Sequence, residues 1–102
     1  MVNIKVENYY LMRSIVRGSI VRTKLFLYTM NIKEKFGFKV KELREQKEYS
    51  IEYLANISNV DRNYISDIEK GQRNVSIEII EKIITALDTD FGAFFNDNNF
   101  KK

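Results

Sequence analysis

Cysteine, histidine, proline and tryptophan are all missing from this chain of 102 residues, and glycine occurs four times. Without Cys and His there is no disulfide scaffold and no zinc site built from those ligands. The commonest catalytic base and nucleophile are gone as well. Long hydrophobic runs are also absent. A membrane helix needs about 20 apolar residues, and Arg13, Arg17, Arg22 and Lys24 interrupt the most hydrophobic region. No uncharged apolar core follows a basic start, so a secretory signal fits poorly. These absences lead us to expect a cytoplasmic protein with no membrane association, no metal and no cofactor. The acids open to an enzymatic reading are Glu42, Glu45, Glu48 and Glu52, whose spacing places them on solvated helix faces with no cleft to gather them. The chain is therefore expected not to be an enzyme.

What is present suits one small domain, with 44% hydrophobic and 13% aromatic residues, enough for a core without staples. The net charge of +3 conceals an asymmetry. Residues 1–29 carry the bases Lys5, Arg13, Arg17, Arg22 and Lys24 against the single acid Glu7, whereas the remainder is slightly acidic. Any basic surface on the body must come from local placement. The sequence divides into a basic extension (1–30), a patterned body (31–97) and a polar tail (98–102).

The extension repeats a tetrapeptide, Ser14-Ile15-Val16-Arg17 and Ser19-Ile20-Val21-Arg22, around Gly18. Three readings of it stand side by side: a β-hairpin or added strand, a flexible basic arm, or a tail translated upstream of a working start at Met30.

From Asn31 onward the apolar spacing is helical, and it predicts an all-α, compact five-helix body. Ile32, Phe36, Val40, Leu43 and the stem of Lys47 form one stripe, giving a first helix that ends near Lys47. Gly37 inside it should cost about 1 kcal/mol relative to Ala. Ser50 caps a second helix with Leu54 and Ala55 inward, closing near Ile57. Asp61 caps a third with Ile65 and Ile68 inward, stopping at Gly71. Ser76 caps a fourth with the stripe Ile77, Ile80, Ile83, Ile84 and Leu87. Asp90 caps a short fifth helix with Phe91, Phe94 and Phe95.

Two short helices joined by a tight turn, Ser50 to Ile57 and Asp61 to Lys70, outline a helix-turn-helix. On a helical wheel the outer side of the second carries Arg62, Asn63, Ser66, Asp67 and Lys70. That face combines an arginine able to fork onto guanine, an asparagine able to pair with adenine, and an acid able to accept from cytosine. Arg62, Asn63 and Asp67 are the candidate base readers. Lys70, Gln72, Arg73 and Asn74 in the following loop can hold phosphates, as can the helix N-terminus after Ser50.

The runs Phe36-Gly37-Phe38-Lys39-Val40-Lys41-Glu42-Leu43-Arg44, Ser50-Ile51-Glu52-Tyr53-Leu54-Ala55 and Val60-Asp61-Arg62-Asn63-Tyr64-Ile65-Ser66-Asp67-Ile68-Glu69-Lys70-Gly71-Gln72-Arg73-Asn74 resemble the Cro and phage-repressor type of helix-turn-helix, the Xre family. The resemblance continues from Ser76 to Phe95, and Asp61 to Ser66 with Arg73-Asn74 look most like controller proteins of restriction-modification systems. Antitoxins and phage repressors share the domain. The resemblance implies a homodimeric transcription regulator, repressor or activator, that binds operator repeats in double-stranded DNA. An RNA polymerase or a toxin is the protein partner it allows, and an antitoxin or phage-type repressor is the alternative identity. Residue by residue, it implies base contacts from Arg62 and Asn63, backbone contacts from Tyr64 and Ser66, and support from Arg73 and Asn74. It also implies a structural ion pair between Arg44 and Glu69. Two positions depart from the family: Ile51 stands where glutamine is usual, and Asp67 where the residue is often basic or small. A carboxylate there would repel phosphate unless it faced a cytosine amino group. The dimer seam is expected at Phe91, Phe94 and Phe95 with Ile79 beside it, the other reading being that these aromatics close the monomer core.

Overall fold

The structure, a computed structural model, describes residues 29–101. The hairpin, arm and upstream-start readings of the basic extension lie outside the described residues. The helices are α1 (Ile32–Gln46), α2 (Ile51–Ser58), α3 (Arg62–Glu69), α4 (Ile77–Ala86) and α5 (Phe91–Phe95), followed by a 3-10 turn at Asn98–Phe100. Among the described residues there is no strand, and no helix is long and apolar enough to cross a membrane. This is the five-helix all-α body that the spacing predicts.

Each helix starts at a short polar side chain that accepts from a backbone N–H otherwise left without an intrahelical partner. Ser50 accepts from the N–H of Tyr53, Asp61 from those of Asn63 and Tyr64, Ser76 from that of Ile79, and Asp90 from that of Ala93. Asn31 adds a reciprocal cap: its Oδ1 accepts from the Glu34 N–H at 2.9 Å, and its own N–H donates to Glu34 Oε1 at 2.9 Å.

The core draws one or more side chains from every helix: Phe36 and Val40, Leu54 and Ala55, Ile65 and Ile68, Ile83 and Ile84, and Phe94, closed by Val60 and Leu87. Of the expected stripes on α1 and α4, Leu43 and Ile80 pack half-buried against this core, and three members stay outside it. Ile32 is 62% exposed and Ile77 is 73% exposed. Both occupy the first turn of their helices, and a wheel fixes the direction of a side chain but not how far along the axis neighbouring elements extend. Lys47 is exposed and caps the C-terminal end of α1, its ammonium 5.9 Å from the Tyr49 ring centroid.

The polar C-terminal segment lies against the body. Phe100 packs against Phe94 and Phe95, with ring centroids 6.0 and 4.9 Å apart. Asp97 Oδ2 accepts from Lys39 Nζ at 2.8 Å. That lysine, with the Asn99 N–H, holds the Asp97 carboxyl below its ordinary range. A depressed carboxylate contributes stability above its unfolded pKa and loses it as pH falls through the folded value.

The angle between α1 and α3 is set by close backbone approach. A Cβ on Gly37 would lie 1.9 Å from the Ile68 carbonyl oxygen. Gly71, with φ of +74°, ends α3 where a Cβ would meet Glu34 Cγ at 2.7 Å. Farther along the same pair of helices, Arg44 and Glu69 form a fork, Nε to Oε2 at 2.7 Å and Nη2 to Oε1 at 2.9 Å, with side chains 10% and 6% exposed. Arg44 Nη1 also donates to the Tyr49 carbonyl at 2.7 Å. The hydrogen bond from Glu69 raises the pKa of the Arg44 guanidinium against the effect of burial.

The propensity argument for Gly37 is therefore reversed in sign. Gly37→Ala should destabilise the protein by about 1 to 3 kcal/mol, as overpacking does, read as a lowered urea midpoint. A midpoint unchanged or raised would contradict the close approach.

Candidate nucleic-acid interface

Two short helices, a left-handed residue and a capped restart build the site. α2 ends at Asn59, whose φ of 58° and ψ of 42° turn the chain, and the Val60 N–H closes back on the Ala55 carbonyl at 3.2 Å. Val60 is buried and anchors the turn. The Ser58 hydroxyl, also buried, donates to the Leu54 carbonyl at 2.6 Å. Asp61 then restarts the chain as α3. Ile65 and Ile68, essentially inaccessible, hold α3 to the core through one side. The opposite side consequently faces outward: Arg62, Asn63 and Lys70 are exposed, while Tyr64, Ser66 and Asp67 are half-buried.

The structure places Arg62, Asn63, Ser66 and Asp67 on α3 as the wheel predicts, but two of them have partners that the sequence did not reveal. Arg62 Nε donates to Glu52 Oε2 at 2.8 Å, joining α3 to the first turn of α2. That hydrogen bond, ahead of a backbone contribution, lowers the pKa of the Glu52 carboxyl. Beside it lies a cleft lined by Glu52, Asn56, Asn59, Asp61 and Arg62. Asp67 Oδ2 accepts from Arg73 Nε at 3.3 Å, and the Arg73 guanidinium lies 4.5 Å from the Tyr64 ring centroid. Asp67 therefore stands on the outer face with an arginine on one of its two oxygens, a partner that the base-reading expectation did not include. Glu52, which the sequence offered only as a poor catalytic acid, is the site residue that sequence reasoning missed. No helical spacing relates it to Arg62; only the interhelix turn brings the two together.

The remaining candidates are distributed along the edges. The Ser50 hydroxyl is engaged as the α2 cap, and the acidic Glu52 occupies that same first turn. Lys70 caps the C-terminal end of α3, and Gln72 is exposed with its N–H on the Asp67 carbonyl at 2.9 Å. Asn74 is exposed and, with Arg73, borders an apolar groove formed by Ile32, Phe36, Val75, Ile80 and Phe95. Ile51, which replaces the expected glutamine, packs half-buried against the core.

The expected dimer seam divides. Phe94 is 1% exposed and belongs to the monomer core, touching Phe36, Phe95 and Phe100, so it is removed from the seam. Phe95 is half-buried between Phe36 and Phe91. Phe91 is 41% exposed, and Ile79 is half-buried against the core.

A capped helix, a left-handed turn and a second helix whose polar face is turned outward make a helix-turn-helix module. The chain belongs to the helix-turn-helix family, whose model matches residues 40–94. It is 43% identical over 68 residues to the control protein C.MunI of a Mycoplasma species, covering 66% of this chain and 92% of that protein. It is 52% identical over 60 residues to the control protein C.BamHI of Bacillus amyloliquefaciens, covering 58% and 74%. Among solved structures it is similar to the restriction-modification controller protein C.AhdI of Aeromonas hydrophila, with a TM-score of 0.59 and 46% identity over 62% of this chain and 96% of that one.

Proposed function

We propose that this protein is a dimeric, sequence-specific DNA-binding transcription regulator that controls a restriction-modification operon, its own gene included, through operator repeats. The observation that carries the reading is the outward face of α3, where Arg62 and Asn63 stand exposed on a helix held rigidly from behind by Ile65, Ile68 and the Arg44–Glu69 fork. The similarity to two control proteins along most of their length supports the restriction-modification setting. In this reading α3 enters the major groove, Arg62 and Asn63 meet base edges, and Tyr64, Ser66, Lys70, Gln72 and Asn74 hold the backbone. Arg62 exchanges Glu52 for a base on binding.

The test is binding of the purified chain to the DNA upstream of its own gene and to random duplex across a salt series. Tight, salt-dependent preference for the upstream DNA is expected, and equal affinity for both would overturn the proposal. Within that experiment Arg62→Ala should cost about 1 to 3 kcal/mol on the preferred site and relax its specificity, whereas Lys70→Ala should weaken both duplexes alike and lower the salt slope by about 1. Equal loss on both duplexes for Arg62→Ala would contradict its role as a reader.

Two half-sites add their binding free energies, so a twofold dimer fits an inverted repeat about one helical turn apart. The proposed seam comprises Phe91, Phe95 and Ile79, joined by the exposed Ile77. Phe91→Ala should shift sedimentation toward monomer without altering the fold. Undiminished dimerisation would move the seam elsewhere.

A further inference from the structure

Both arginines of the interface are held by carboxylates, but not equally. The Arg62–Glu52 pair has side chains 52% and 60% exposed and is a single contact between two helices. Arg73 is fixed in two directions: its Nε is bonded to Asp67, and its guanidinium is placed over the Tyr64 ring. The main chain that carries Asp67 is held as well, its backbone carbonyl accepting from the N–H groups of Lys70 at 3.2 Å and Gln72 at 2.9 Å. An arginine that the sequence assigns to the loop after α3 is thereby drawn back over the outward face of that helix.

We propose that Asp67 is a positioning residue that, with Tyr64, directs Arg73 onto a guanine of the operator, making Arg73 a base reader rather than a phosphate contact. The inference rests on the DNA-binding reading of α3 given above. With Nε engaged, the Nη1/Nη2 edge remains as a two-donor fork. The O6 and N7 atoms of guanine in the major groove are the matching pair of acceptors. Phosphate oxygens accept from many directions and gain little from such orientation. A neighbouring carboxylate would also weaken attraction to the backbone. The departure at Asp67 that looks unfavourable for a phosphate site is what a directed guanine contact requires.

The test is the base preference at each half-site position, measured with a duplex library for the wild-type chain, Asp67→Ala, Asp67→Asn and Arg73→Lys, with melting temperatures recorded in parallel. Asp67→Ala should lose about tenfold of the preference for one guanine, keep the other preferences, and bind random duplex at least as well as wild type. Asp67→Asn, which retains an acceptor oxygen for Nε, should recover most of that preference. Arg73→Lys should lose the same guanine. If Asp67→Ala keeps the full preference, or changes affinity equally for every sequence while remaining folded, the positioning role is overturned. A wild-type chain with no preference at any position would overturn the DNA-binding reading itself, and this inference with it.

Discussion

The contact between α1 and α3 governs the rest of the molecule. Gly37 lets the Ile68 carbonyl approach to a distance no side chain would permit, and the Arg44–Glu69 fork closes the same interface farther along. Leaving either ion unpaired in so enclosed a place would cost about 3 to 5 kcal/mol. The net stability contributed by such a pair is nevertheless small, since desolvation opposes the attraction. Its value lies in geometry: two parallel hydrogen bonds and a close backbone approach leave α3 one orientation relative to α1. A short recognition helix of eight residues has little rigidity of its own, so the direction of its outer face is inherited from this clamp.

Charge on the body is arranged by position rather than by amount. From Met30 onward acids slightly outnumber bases, and carboxylates stand beside the arginines proposed to meet DNA. Glu52 holds Arg62 across the turn, and Asp67 holds Arg73 across the loop. Such pairs lower the nonspecific pull of the surface on phosphate and favour contacts in which a guanidinium fork finds two matched acceptors. A regulator that must distinguish one operator from a genome of competing sites gains from that balance, because specificity is a difference of affinities.

Features written in neighbouring residues are legible in the amino-acid sequence alone. The caps at Ser50, Asp61, Ser76 and Asp90 each act within three residues, and the inward placement of Ile65 and Ile68 follows from helical periodicity. What is not legible depends on distant parts of the chain. The sign of the Gly37 effect is decided by a carbonyl on another helix, and the exposure of Ile32 and Ile77 by where their neighbours end. The Arg62–Glu52 and Arg73–Asp67 pairs depend on the path of a turn and of a loop. The docking of Phe100 beside Phe94 and Phe95 requires the C-terminal segment to fold back, for which a polar run of Asn and Asp gives no signal.

The central claim, that the outward face of α3 is the surface that meets DNA, is most directly tested by following the backbone amide resonances of the chain during titration with a duplex from upstream of its gene. The account predicts that perturbations concentrate at residues 62–67 and 70–74 and at the start of α2, with α5 unaffected. Perturbations confined to α4 and α5, with α3 silent, would contradict it.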